Sequence, residues 1–295
     1  MRLALYLPAL CIVLLLFSVP VRAQLQFWNL AEQEEMPWLK ARKDQKITRV
    51  TLYRTDERGR LIDTTGADEI QAFNDNGQLV ARHVFKYNWR IRKRELLHAD
   101  SFFYNNGLVT GCRSYEGPNY TPVFESVVKY NAKNLAIRQE HYTLSGYERK
   151  PDRTDVFEYD AKNLPKKMVS TSSVTKALNS SRLFFFDAAG RLIRNQFVTA
   201  SGTITEQLTR DASGRITTYE ELYGKELQKT IKYTYDAAGR LSRKDMLASS
   251  GFDSFTAYTY QGDNLLFSNM YLQYPGSGGK NDRRHEYTML VYTTQ

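Results

Sequence analysis

A seven-residue unit recurs along this chain, and it constrains the fold more than any other feature. Tyr235-Asp236-Ala237-Ala238-Gly239-Arg240-Leu241 is nearly repeated by Phe186-Asp187-Ala188-Ala189-Gly190-Arg191-Leu192. Looser copies run Arg210–Ile216, Phe73–Leu79 and Thr55–Leu61, each with Gly at the fifth place. A second class reads one residue shorter: Tyr130–Leu135, Tyr159–Leu164, Phe103–Leu108 and Tyr260–Leu265. The Gly or Asn markers of these nine copies fall at 59, 77, 107, 134, 163, 190, 214, 239 and 264.

The unit is spelled as a turn. Asp or Asn opens it, because its short side chain can bond the backbone two residues on. Gly then supplies the left-handed conformation that closes a hairpin loop, and Asn is the next residue best able to do so. The long class, with Tyr235 and Leu241 six apart, predicts a type I turn with a Gly bulge. The short class, with Tyr159 and Leu164 five apart, predicts a four-residue loop.

The flanks alternate as strands do: Ile231, Tyr233 and Tyr235 on one face, Thr230, Lys232 and Thr234 on the other. Across the turn Leu241 is expected to meet Tyr235, and Arg243 to meet Tyr233. A second set of turns, at Ser145-Gly146, Ser172-Ser173, Ser201-Gly202, Tyr223-Gly224 and Ser249–Gly251, joins one hairpin to the next. The fold class is therefore all-β: antiparallel hairpins in a long up-and-down meander of some eighteen strands, twisted or curled because a flat sheet that large is unfavourable. The aromatic content, 13% with Tyr leading, fits recurrent strand-end positions before a turn.

The Tyr-Asp-x-x-Gly-Arg-Leu unit resembles the YD repeat of RHS-type proteins. Tyr235–Leu241 matches that motif fully, and Phe186–Leu192 matches it with Phe for Tyr. The resemblance implies curling β-sheets on exported or surface proteins, and an association with carbohydrate and surface contacts. In RHS toxins the repeats enclose a C-terminal toxic domain. This chain ends instead in the strand-like Tyr287–Thr294, so no toxin domain is expected.

Residues 1–23 read as a secretory leader: Arg2, the apolar run Leu3–Phe17, then Val21-Arg22-Ala23 as a cleavage site. Residues 24–45 form a cap segment, with Asn29 capping a short helix over Leu30–Met36. Residues 46–295 form the repeat domain. With the leader gone, Cys112 is the only thiol. The formal charge is +9, and export removes Arg2 and Arg22 from it.

One basic run is not explained by the repeat. Residues 81–94 hold Arg82, Lys86, Arg90, Arg92, Lys93 and Arg94 with no acid, and Tyr87 and Trp89 are interleaved. Cations beside aromatics can hold anionic glycans by charge and stacking. The candidate ligand residues are Arg82, Lys86, Tyr87, Trp89, Arg90, Arg92 and Arg94, and alternation places Arg90, Arg92 and Arg94 on one strand face. Glu116–Pro122 reads as a longer loop. Pro275–Lys280 fails as a phosphate loop, since no Ser or Thr follows Lys280. No spacing supports a metal site, a cofactor or a catalytic pair; Cys112 with His98 or His141 is the nearest approach.

These features point to an exported, non-enzymatic repeat protein that presents a β-surface to a glycan or protein partner at the cell envelope or surface. Nucleic acid is not expected, and neither is a membrane span after leader removal. The alternatives are a structural component of an envelope assembly joined by sheet edges, an outer-membrane barrel, and a glycan-active enzyme.

Overall fold

The computed structural model describes residues 45–294 apart from 57, 63–65, 147, 250, 252 and 274–282. The expected leader, the cap helix at Leu30–Met36 and the Pro275–Lys280 loop lie outside the described residues. Eighteen strands follow one another: β1 (Ile47–Arg54), β2 (Glu69–Phe73), β3 (Leu79–Asn88), β4 (Lys93–Asn105), β5 (Leu108–Glu116), β6 (Thr121–Tyr130), β7 (Ala136–Ser145), β8 (Glu148–Tyr159) and β9 (Pro165–Ser172) make the first half. The second half is β10 (Leu178–Phe186), β11 (Leu192–Thr199), β12 (Gly202–Arg210), β13 (Ile216–Tyr223), β14 (Glu226–Tyr235), β15 (Leu241–Ala248), β16 (Asp253–Gln261), β17 (Asn264–Gln273) and β18 (Arg283–Thr294). Each pairs antiparallel with its successor, and β1 pairs with both β2 and β18. Leu52 opposite Leu290 and Val50 opposite Tyr292 set the closing register. The meander therefore curls until its ends meet, and the sheet is a closed barrel.

Eight of the nine repeat copies turn between an even strand and the next odd one, so all eight lie at one end of the barrel. The ninth, Thr55–Leu61, falls elsewhere. It folds the same loop, with Asp56 N donating to Arg60 O and Gly59 N to Asp56 O, but it closes a single bridge inside the β1–β2 connection. That copy accordingly does not make a ninth hairpin of the series, and β1 is left to pair with β18.

The two loop classes also divide differently from the expectation. At Tyr130 and Tyr159 the loop is the long one: Asn131 N bonds Leu135 O and Asn134 N bonds Asn131 O, as Asp236 N bonds Arg240 O and Gly239 N bonds Asp236 O. Asn134 and Asn163 stand in the Gly place with φ of 59° and 61°. Leu135 and Leu164 stand in the Arg place, and the strand partners are Ala136 and Pro165. Only Tyr104–Val109 and Tyr260–Leu265 pair five apart, across two-residue loops. The register follows the left-handed residue, Asn134 or Asn163, and not the Leu that follows it.

The motif residues bind each copy to its neighbour. The opening carboxylate accepts from the backbone and Nε of the motif Arg: Asp236 Oδ1 from Arg240 N and Asp236 Oδ2 from Arg240 Nε, both at 2.8 Å. The Arg head then reaches the next turn, where Arg240 Nη1 donates to Gly262 O and its guanidinium covers the Tyr260 ring at 4.7 Å. Arg215 covers Tyr235 at the same distance. The motif Tyr reaches back instead. Tyr104, Tyr130, Tyr159, Tyr235, Tyr260 and Tyr292 donate to the carbonyls of Leu79, Val109, Ala136, Ile216, Leu241 and Leu265, and Arg210 takes the same place toward Leu192 O. Burial pushes the Tyr130 and Tyr260 phenols up to about 12, so they donate throughout the physiological range. Tyr235→Phe is expected to cost about 1 kcal/mol, as a shift of the urea midpoint without change of slope. An unshifted midpoint would show that this bond contributes nothing net.

Buried and exposed positions alternate: Ile231 and Tyr233 are buried while Lys232 and Thr234 are exposed. No second layer of strands or helices covers the outside among the described residues, so the buried face lines the interior. A bulge between the Tyr235–Leu241 and Thr234–Arg243 pairs sets Arg243 opposite Thr234, away from the expected Tyr233, and it lies over Phe255 at 4.1 Å. Near the repeat turns the interior is apolar, with Phe157, Met168, Phe184, Ile216, Ile231 and Leu241 in one cluster and Val50, Phe73, Leu79, Phe102, Val109 and Leu290 in the other.

Candidate functional site

Two places concentrate chemistry. The first is a polar row across the interior, one layer in from the apolar clusters. Its members are cross-strand neighbours: Arg82 opposite Asp100, Asp100 opposite Ser114, Cys112 opposite Ser126, Ser126 opposite His141, and Gln139 opposite Asp155. Ser114 Oγ donates to Asp100 Oδ1 at 2.8 Å, and His98 Nε2 meets the same oxygen at 2.8 Å. Cys112 Sγ lies 3.2 Å from Ser126 Oγ, and His141 Nε2 lies 2.8 Å from Asp155 Oδ2. Burial opposes ionisation of Asp155, but the His141 hydrogen bond and the Arg153 charge outweigh it and hold the carboxyl below its usual value.

The row contains Cys, Ser, His and Asp, yet its geometry does not make a nucleophile. Cys112, Gln139, His141 and Asp155 have no exposed surface. Burial pushes the Cys112 thiol up to about 11, away from the reactive thiolate. His141 uses Nε2 on Asp155, and Ser126 is engaged by Cys112 rather than by the imidazole. No cluster of three metal-ligating side chains occurs among the described residues.

The second place is the β3–β4 hairpin, at the barrel end away from the repeat turns. It gathers only part of the basic run anticipated from sequence. Arg82 faces inward and forms a two-pronged pair with Glu69 on β2, with Nε and Nη2 each 2.8 Å from an oxygen. Arg94 is paired with Asp68, and only 8% of its side chain is exposed. Both are therefore occupied structurally. Arg90 and Arg92 are not strand residues at all: they lie in the turn, Arg92 with φ of 53°. The expected single face of Arg90, Arg92 and Arg94 is thus not formed, because β3 ends at Asn88 and the turn breaks the alternation.

What remains at the tip is compact. Lys86, Trp89, Arg90, Ile91, Arg92 and Lys93 are exposed, and Trp89 is 83% exposed. Asn88 shapes the turn, its Oδ1 accepting from Arg90 N at 3.0 Å and its Nδ2 donating to Glu95 Oε2 at 2.7 Å. Tyr87 meets Trp89 edge-on at 4.6 Å. Strand alternation carries the aromatic character down the outer face through Phe85 and His83. His83 also meets Tyr120 at 5.9 Å, and Tyr120 meets Tyr115 at 6.3 Å. Tyr120 belongs to the tight turn 117–120, so Glu116–Pro122 is not the long loop that its Gly and Pro suggested. Ile91, Tyr115 and Tyr120 are not among the candidates read from sequence, and Lys93 is there only as a member of the basic run. An alternating read of β3 finds His83, Phe85 and Tyr87, but only the pairing of β5 with β6 brings Tyr120 beside them.

No family model matches this chain, and no curated protein matches it. Solved structures do. In the crystal structure titled TcdB2-TccC3-Cdc42 the match is 11% identical with a TM-score of 0.38, covering 83% of this chain and 16% of that chain. This chain therefore spans about one sixth of that chain's length. A porin-like protein from Bacteroides uniformis ATCC 8492 is 10% identical with a TM-score of 0.43, covering 84% of this chain and 98% of that one. A porin-like protein from Bacteroides vulgatus ATCC 8482 is 11% identical with a TM-score of 0.32, covering 84% and 99%.

Proposed function

We propose that this is an exported, non-enzymatic repeat protein whose closed β-barrel acts by surface contact at the cell envelope, holding a glycan or protein partner on its outer face. The YD-like turns and the leader read from the sequence support export to a surface. The observation that carries the reading is the distribution of chemistry. The Ser, Cys, His and Asp side chains of the row are sealed inside, while aromatic and cationic groups stand outside at the β3–β4 end. Of the anticipated ligand residues, Tyr87, Trp89, Arg90 and Arg92 remain in the proposed contact; Arg82 and Arg94 support the hairpin that presents them, and Lys86 shares the face of Arg82 and stands opposite Glu95.

The competing readings lose specific supports. Closure of β1 on β18 removes the free edges that an edge-joined assembly would use. A lipid-facing barrel needs an apolar outer band. Here the outer face carries Arg138 and Lys129 on Glu140, Arg149 on Glu125, and Arg243 on Asp245, each on the opposite face from buried neighbours or from the interior row.

The test is a glycan array probed with the purified chain and with an Arg90→Ala/Arg92→Ala variant. Retention of acidic glycans that weakens with salt and with the variant is expected. A chain that retains no glycan, or a variant that binds as wild type does, would remove the glycan form of the reading.

A further inference from the structure

We propose that the β3–β4 tip is a peripheral membrane anchor, which dips Trp89 and Ile91 into the headgroup region of an anionic bilayer while Arg90, Arg92 and Lys93 engage lipid phosphates. This rests on the surface-contact part of the proposed function and names an anionic bilayer, in place of a glycan, as the surface that the tip contacts.

Four features of the tip carry it. Trp89 and Ile91, 83% and 51% exposed, project from a four-residue turn. The exposed cations of the turn and its edge, Arg90, Arg92 and Lys93, have no acid among residues 89–93, while Glu95 stands opposite Lys86 and bonds the Asn88 amide at the base of the turn. The turn is held in place: Asn88 caps Arg90 N, and Tyr87 packs edge-on against Trp89. Behind the tip, Tyr87 stands where an interfacial tyrosine sits when a neighbouring tryptophan is at the boundary of the acyl chains.

The chemistry selects a bilayer over a sugar. Ile91 offers neither a flat face for stacking on a pyranose nor a hydrogen-bonding group. The exposed charged side chains of the tip are all donors, whereas sugar hydroxyls call for acceptors as well. A sulfated polymer would satisfy the cations but leave Ile91 and the indole in water. An anionic bilayer uses all of them at once: apolar area is buried at the boundary while each cation gains from the surface potential.

The test is co-sedimentation of the purified chain with phosphatidylcholine vesicles, with and without about one third phosphatidylglycerol, a content that gives a strongly negative surface. Binding to the anionic vesicles only, weakening with added salt, is expected. Arg90→Ala/Arg92→Ala should weaken it about fivefold per charge removed. Trp89→Ala/Ile91→Ser should weaken it at least about tenfold, because the apolar anchor is lost. All substituted side chains are exposed, so melting temperatures should match wild type and exclude misfolding as the cause. No binding to anionic vesicles overturns the proposal. So does a Trp89→Ala/Ile91→Ser variant that binds vesicles as wild type does while a heparin column retains both, since the tip would then be a site for anionic polymers. Loss of vesicle binding with salt-sensitive glycan retention intact leaves the proposed function standing, and vesicle binding without glycan retention removes only its glycan form, so the two failures are distinguishable.

Discussion

Asp155→Ala is expected to lower the unfolding free energy by about 3–5 kcal/mol, the cost of leaving buried charge and hydrogen-bond donors without their partner. Asp155 accepts from His141 across β7 and β8, and Arg153 stands 3.4 Å from its second oxygen. Both the imidazole and the carboxylate have no exposed side-chain surface. Water cannot take the place of the lost carboxylate without opening the barrel wall. The effect should depend on pH in a defined direction. Because the folded carboxyl is held below its usual value, its contribution is complete above the unfolded value of about 3.9 and is lost as pH falls toward the folded one. The gap between wild type and variant in urea unfolding should therefore narrow below about pH 4. A gap that stays constant through that range would assign the loss to packing rather than charge. Equal stability at neutral pH would show that the row is not a structural element.

The second large effect concerns closure. A chain ending at Gln273 lacks β18, and with it Leu290, the Tyr292 bond to Leu265 O, and the partner of both β1 and β17. Two edge strands are then exposed, and unpaired edges recruit other chains. The truncated protein should show a larger apparent mass than the full chain in light scattering, rising with concentration. It should also lose at least about 5 kcal/mol of stability, comparable with the whole margin of an ordinary domain. A truncated chain that keeps the full chain's oligomeric state and melting temperature would show that the closing seam is dispensable.

Much of this architecture could be read from particular residues. Asp236, Gly239 and Arg240 specify their loop through bonds no longer than four residues in sequence, so the turn is written wherever those residues recur. The faces of β14 followed from Ile231, Tyr233 and Lys232 by simple alternation. The loop class is not legible at Leu135 and Leu164, whose side chains resemble the motif Leu, because the positive φ of Asn134 and Asn163 sets the register there. The basic run was legible as composition but not as a site. Arg82 and Arg94 are neutralised by Glu69 and Asp68, 13 and 26 residues away, and alternation alone does not say which acid a neighbouring strand brings alongside.

The sequence by itself determined the strand class, the turns, and the near count of strands, because each is fixed by contacts within a single hairpin. Only the tertiary structure decided three things: that β1 closes on β18, that the Cys112-Ser126-His141-Asp155 row is sealed inside, and that Trp89 with its cations is left outside. The closing seam joins residues as far apart as Thr48 and Thr293, 245 positions along the chain. No local propensity encodes such a pairing. It results from twist and curl accumulated over every strand between them, and that sum also sets which face becomes the interior.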